Sequence, residues 1–292
     1  MKNVKNGCSI CQNDLAIKFS KYSDPLRKNF DIYKCSFCGN WQIFPLPDEI
    51  DLTHLYENTY FAKRTNRGYD NYTSDAVKQS IISTLEKNLE ALNFYKWEEN
   101  LDIKNSLEIG AAAGYFVEYL QNRGWNSMGI DISKTMTDAA IRKGLNILHG
   151  NFLKYDFKNR KFNLIAMWAT LEHLMSPDKF IKKISEILLP GGHLYITTTN
   201  TGFWAKVYGI NWRYLNVPEH IYYFNRRSLA TLFENHHMKI VRSFTYGSGF
   251  TTRENSSMFY KFFKKVFDQS AKWFHNGDMI VLDVMLDVNS RF

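Results

Sequence analysis

Residues 105–114, NSLEIGAAAG, constrain this chain more than any other stretch. An apolar run carrying one acid, Glu108, passes into a turn made only of Gly and Ala, and an amphipathic segment begins at Tyr115. That order predicts a strand, a tight turn and a helix start. Glycine permits the left-handed backbone of a tight turn, and small side chains let a ligand approach the main chain. The first N–H groups of the helix have no partner within it and suit the polar end of a ligand.

The pattern continues in order. A second apolar run ends in an acid, Asp131, placed where a carboxylate can accept both hydroxyls of a ribose. Apolar spacing predicts a helix within 70–97 (Ile81, Ile82, Leu85, Leu89, Leu92), then strand 105–110, helix 114–123, strand 126–131, helix 134–143 and strand 145–149. Strand 162–168, helix 177–188, a Pro190-Gly191-Gly192 turn, strand 193–199, helix 226–236, strand 238–245 and a last strand in MIVLDVMLDV follow. This alternation predicts an α/β fold: a seven-stranded, mostly parallel sheet with helices on both faces, its ligand crevice at the carboxyl ends of the strands.

All four cysteines fall within the first 38 residues, as Cys8-Ser-Ile-Cys11 and Cys35-Ser-Phe-Cys38. Two CxxC knuckles 23 residues apart predict a closed four-thiolate zinc site, a structural centre with no open ligand position. Asn13 and Gly39 are the turn-formers expected to fold the backbone round the metal. Two disulfides conflict with the cytoplasmic location suggested by an N-terminus without an apolar leader, and a redox motif needs no second copy. Pro45 and Pro47 punctuate the exit, so residues 1–47 read as a zinc ribbon and 48–292 as the main domain. Just beyond the boundary, Tyr56, Tyr60 and Phe61 are candidates for a lid.

Aromatic content, at 16%, is high, and much of it lies outside the alternating core. Residues 201–224 gather eight aromatics (Phe203, Trp204, Tyr208, Trp212, Tyr214, Tyr222, Tyr223, Phe224) around Pro218-Glu219-His220. No helical or alternating period holds there, which predicts a long shaped loop, either capping an acceptor or simply buried. Residues 254–275 predict an aromatic, basic amphipathic helix whose face packs on the core or on a second copy of the chain, with a membrane or RNA as the other candidates. The net charge of +8 is spread without basic blocks, which argues against nucleic acid and suits an anionic small molecule. No run of about 18 apolar residues predicts a membrane span.

Together, Glu108-x-Gly110-x-Ala112-x-Gly114, Asp131, FNLIAMWATLEHL and LLPGGHLYITTTN resemble the class I S-adenosylmethionine-dependent methyltransferases over residues 70 to 290. The resemblance implies a Rossmann-like fold with S-adenosylmethionine as cofactor. Its amino-acid part is expected near Glu108, Gly110, Ala111, Ala112 and Gly114, its ribose on Asp131, and its adenine near Ile132, Asn151, Phe152 and Trp168. The chain departs from the family at Ala112, where Gly is usual, and at Asn151, where an acid is common. The ribbon, the Pro-rich exit and the Trp-to-PEH-to-Tyr-Phe pattern also resemble bacterial small-molecule methyltransferases, several of which act on sugars in surface-polysaccharide pathways. For a hydroxyl acceptor, His220 and His173 are the candidate bases, with Glu219 beside His220 to orient the ring. An NAD-dependent enzyme fits less well, since an acid on the first strand is untypical of it. A zinc-ribbon binding protein on a degenerate fold, and an RNA or protein methyltransferase, remain as alternatives.

Overall fold

The computed structural model describes residues 7–23, 26–48, 71–248, 257–273 and 275–287. Tyr56, Tyr60 and Phe61 lie outside the described residues. Three antiparallel strands, β1 (Leu15–Ser23), β2 (Lys28–Cys35) and β3 (Trp41–Phe44), form the N-terminal module. Its sheet takes a fourth strand, β9 (Tyr222–Tyr223), from the aromatic segment, in the order β1-β2-β3-β9.

The main sheet has seven strands: β4 (Asn105–Ile109), β5 (Asn126–Asp131), β6 (Ile147–His149), β7 (Phe162–Trp168), β8 (Leu188–Thr199), β10 (Met238–Tyr246) and β11 (Met279–Leu286). They lie in the order β10-β11-β8-β7-β4-β5-β6; the five from β6 to β8 are parallel, and β11 runs antiparallel between β8 and β10. The seven-stranded, mostly parallel sheet is therefore as expected. Its central strands are apolar on both faces because both are covered. Along β7, Ile165 and Met167 join one core while Leu164 and Ala166 join the other.

Helix ends follow local chemistry. The Ser74 hydroxyl accepts the Val77 amide at the start of α1 (Asp75–Ala91), and Ser133 accepts the Met136 amide at α4 (Lys134–Arg142). Between them, α3 (Tyr115–Gln121) starts directly at Gly114. Pro177 opens α5 (Pro177–Ile187), where its missing N–H costs nothing. The Asn225 and Ser228 side chains close a capping box at α7 (Arg226–Glu234).

Several boundaries differ from expectation. The helix within 70–97 breaks at Asn93, which has φ +63°, leaving a short α2 (Phe94–Glu98). The expected 190–192 turn lies inside the continuous span of β8, with Gly191 at φ +77°. The segment 201–224 is not a plain loop: it contains α6 (Phe203–Tyr208), a 3-10 turn at Gly209–Asn211 and β9. Its Trp212, Tyr222, Tyr223 and Phe224 are fully buried, and Trp41 of β3 packs edge-on to Trp212 at 6.2 Å. These four join the ribbon side of the core, whereas Tyr214 lines the cavity described below. The amphipathic helix α8 (Met258–Trp273) leaves Met258, Phe259 and Phe262 exposed, while Phe267 packs edge-on to Trp204 and Ala271 is buried. Among the described residues, no helix is long and apolar enough to cross a membrane.

Candidate active site and metal centre

The four cysteines converge although β1 and β2 separate the knuckles: one sulfur of each lies within 4.8 Å of the others, and none is in a disulfide. The two knuckles repeat one geometry. The Cys8 amide donates to the Asn13 carbonyl and the Cys35 amide to the Asn40 carbonyl, each at 2.8 Å. Amides of Ile10, Phe37 and Cys38 point at sulfur. The positive-φ residues are Gly39, as expected, and Gln12 in place of Asn13. Sulfur contacts of 3.6 Å (Cys8–Cys38) and 3.4 Å (Cys11–Cys35) are close to the ~3.8 Å edge of a tetrahedron with Zn–S bonds of about 2.3 Å. The Cys38 contact lowers the Cys8 thiol to about 5, while the same contact raises Cys38. The residues present fit a four-thiolate zinc ion, with Cys8, Cys11, Cys35 and Cys38 as its ligands.

A cavity of about 630 Å³ opens at the carboxyl ends of β4, β5, β7 and β8. Its lining includes Gly110, Ala112, Asp131, Ile132, Asn151 and Phe152 together with Trp168, Thr170, Glu172, His173 and His220. Glu108, Ala111 and Gly114 do not reach its wall; they support the turn from behind. Gly110 has φ +77°, and a Cβ there would collide with the Thr170 side chain. Gly114 has φ +75° and would meet Leu145 at 2.8 Å. Ala112, at φ +43°, occupies the left-handed region despite its methyl group, as does Ala169 at φ +50° on the opposite wall. Left-handed backbone on non-glycine residues persists where surrounding structure enforces it, often at functional sites.

Asp131 does more than face the cavity. Its Oδ2 accepts the Ala112 amide at 2.8 Å and its Oδ1 the Ser133 amide at 2.7 Å, so one carboxylate fixes both ligand-facing turns. Burial raises its pKa, opposed by those amides. Glu108 is fully buried behind it; burial first, then the Asp131 charge, push its pKa well up, and its Oε2 has no partner. Asn151 lines the cavity, but its side-chain oxygen already accepts the Leu153 amide at 2.8 Å. Ile132 is 60% exposed, whereas Phe152 is buried and stacks on Phe180.

The wall that follows β7 is built from two segments. Glu172 and His173 lie on a 3-10 turn (Leu171–His173) after β7, and His220 comes from the aromatic segment. The Ile221 amide donates to the Glu172 carbonyl at 2.8 Å. Each imidazole uses Nδ1 on a main-chain carbonyl, His173 on Glu219 at 2.8 Å and His220 on Tyr214 at 2.9 Å. Glu219 therefore holds His173 through its backbone carbonyl, while His220 Nδ1 faces the carbonyl of Tyr214. The Glu172 carboxylate accepts the Thr198 hydroxyl at 2.8 Å, and burial raises its pKa to about 7. Sequence reasoning did not single out Glu172, whose side chain reads locally as one polar residue in a turn. Among the described residues, Trp168 Nε1, Thr197 Oγ1 and Thr199 Oγ1 have no hydrogen-bond partner, though they are buried on residues that line the cavity. Other histidines are structural: His193 pairs with Asp283 at 2.6 Å and His236 with Asp178 at 2.7 Å.

Comparison with known proteins matches this geometry. The chain is 29% identical over 128 residues to the ubiquinone biosynthesis O-methyltransferase of Coxiella burnetii, covering 41% of this chain and 53% of that protein. It is 27% identical over 130 residues to the chloroplastic tocopherol O-methyltransferase of Arabidopsis thaliana, covering 41% and 37%. It thus spans about half the length, or less, of these curated relatives. A SAM dependent methyltransferase from Archaeoglobus fulgidus superposes with a TM-score of 0.54 at 13% identity, covering 78% of this chain and all of that one, which shows the shared fold. A family model described as a methyltransferase domain matches residues 78–243, more than half of the sequence. By that match, and on the fold that carries it, this chain belongs to the methyltransferase domain family.

Proposed function

We propose that the protein transfers a methyl group from S-adenosylmethionine to an oxygen of a small, hydroxyl-rich acceptor such as a sugar or nucleotide-linked sugar. The observation that carries this reading is one cavity joining the Gly110–Asp131 turns to the Glu172–His173–His220 cluster. The cofactor, when bound, supplies a methyl group already activated on a sulfonium. Gly110 and Ala112 then give close main-chain contact, and Asp131, with one lone pair of each oxygen still available, accepts the ribose hydroxyls. Alignment of the acceptor and exclusion of water supply most of the acceleration.

The acceptor oxygen forms its bond to the methyl carbon as the carbon–sulfur bond breaks, and the hydroxyl proton must leave. His173 and His220 are the groups placed to act on that proton. Oxygen as the acceptor atom is supported by the names of the curated relatives. A polar acceptor is supported by Trp168 Nε1, Thr197 Oγ1 and Thr199 Oγ1, whose lack of partners is costly unless a ligand supplies them. Zinc in the ribbon is read as structural, on the closed four-thiolate geometry.

Two measurements test the proposal. Calorimetry should show stoichiometric binding of S-adenosylhomocysteine, and labelled cofactor should mark small molecules, including sugar conjugates, in a cell extract. No affinity for the cofactor product sinks the reading entirely. Label appearing only in RNA or protein moves the acceptor to a macromolecule.

A further inference from the structure

The wall of the cavity that follows β7 carries a second metal-type donor set. Glu172, His173 and His220 each offer a ligand atom within 4.8 Å of the other two, and all three line the cavity. Both rings give Nδ1 to a main-chain carbonyl, which leaves Nε2 as the nitrogen that carries the lone pair. A metal-binding histidine is oriented in this way, its other nitrogen donating to an outer acceptor. The two segments cannot drift apart, because Ile221 donates to Glu172 and His173 to Glu219 across the gap.

Charge points in the same direction. The Glu172 side chain is 1% exposed, and its hydrogen bonds are with neutral groups, the Thr198 hydroxyl and its own backbone amide. Among the described residues that line the cavity, two are acids, Asp131 and Glu172, and none is Lys or Arg. A buried carboxylate without a counter-charge is expensive. A dication at the three ligands removes that cost, and two imidazoles with one carboxylate suit first-row divalent metals.

We propose that Glu172, His173 and His220 form a divalent-cation site with open positions toward the cavity, distinct from the closed four-cysteine centre. Metal binding stands independently of the proposed reaction. The catalytic consequence rests on that reaction: an acceptor hydroxyl bound to the cation is acidified and loses its proton to solvent before attacking the methyl carbon. The histidines then act on the proton through the metal, not as bases.

Manganese provides the probe, because it prefers nitrogen and oxygen donors and leaves thiolate sites to softer metals. The zinc-loaded full chain, stripped of loosely held metal, is titrated with Mn2+ while free Mn2+ is followed by electron paramagnetic resonance; Co2+ is titrated in parallel by absorption. One Mn2+ per chain is expected. Glu172→Gln and His220→Gln should each weaken it by about tenfold or more. A parent-like denaturation midpoint in Glu172→Gln reports that the fold is intact, and Glu172→Gln alone decides if His220→Gln disturbs the neighbouring segment. Absence of stoichiometric binding of either metal, or Mn2+ affinity unchanged in an intact Glu172→Gln, overturns the site. Because no acceptor or methyl transfer enters the measurement, its failure is distinct from failure of the methyltransferase reading.

Discussion

The rings of His173 and His220 stand 4.7 Å apart, centre to centre, with their planes at 84°. His173 is held by the carbonyl of Glu219, the residue just before His220, so each ring's position depends on the other's segment. The pair is therefore one unit, made where the turn after β7 meets the segment that enters β9.

Loss of either ring should damage the reaction more than cofactor binding. His220→Gln is expected to lower turnover by about 10²–10⁴-fold, the range of a proton-handling group, with affinity for S-adenosylhomocysteine nearly intact. Steady-state kinetics beside calorimetry separates the two effects. If both His220→Gln and His173→Gln stay within about threefold of the parent turnover, the pair has no part in the chemistry.

The ribbon should prove to be a brace for that pair. Ile43 of β3 donates to the Ile221 carbonyl, Ile221 donates to Glu172, and Asn225 donates to the Cys38 carbonyl, so the cysteine knuckle connects to the active site in a few bonds. Cys35→Ser should lose zinc by metal analysis and also lower turnover by about tenfold or more, as the support of His220 loosens. A zinc-free variant with parent turnover would show the ribbon to be mechanically independent.

Asp131→Ala removes the acceptor of two loop amides as well as the expected ribose contact. Hydrogen bonds to charged groups contribute roughly 1.5–3 kcal/mol each, so S-adenosylhomocysteine should bind at least about tenfold more weakly. The denaturation midpoint should also fall. An unchanged midpoint with weaker binding would assign Asp131 to the ligand alone.

Ala112 carries a removable strain. A left-handed alanine costs roughly 1–2 kcal/mol, and glycine returns part of that by widening the unfolded ensemble. Ala112→Gly should therefore raise stability by up to about 1 kcal/mol, whereas Ala112→Val should destabilise and weaken cofactor binding. Denaturant midpoints of the two variants, ordered the other way, would contradict the observed turn.

Glu108 should give the fold a pH dependence. Its folded pKa lies above the unfolded value of about 4.3, so the folded chain keeps a proton that the unfolded chain has released. That contribution is fully present below the unfolded pKa and is lost as pH rises through the folded one. Stability measured from pH 5 to 8 should decline less steeply in Glu108→Gln than in the parent. Parallel curves would mean that Glu108 does not titrate there.

Local chemistry was enough to read the seven strands, the glycine turn, Asp131 and the four cysteines. Strands and helices announce themselves by period, and a CxxC pair fixes its ligands by spacing. The aromatic run 201–224 resisted such reading because its side chains obey no single period; Trp212, Tyr222 and Tyr223 are placed by the partner sheet. The pairing of Trp41 with Tyr223 joins segments far apart in the chain, and nothing in either stretch encodes the other's register. Glu172 illustrates the same limit. Its acid is visible in the sequence, but its burial and its meeting with His220 arise only when β7, β8 and β9 have packed together. Short-range order was enough to place the glycine turn, whereas long-range packing decided which side chains meet across the cavity.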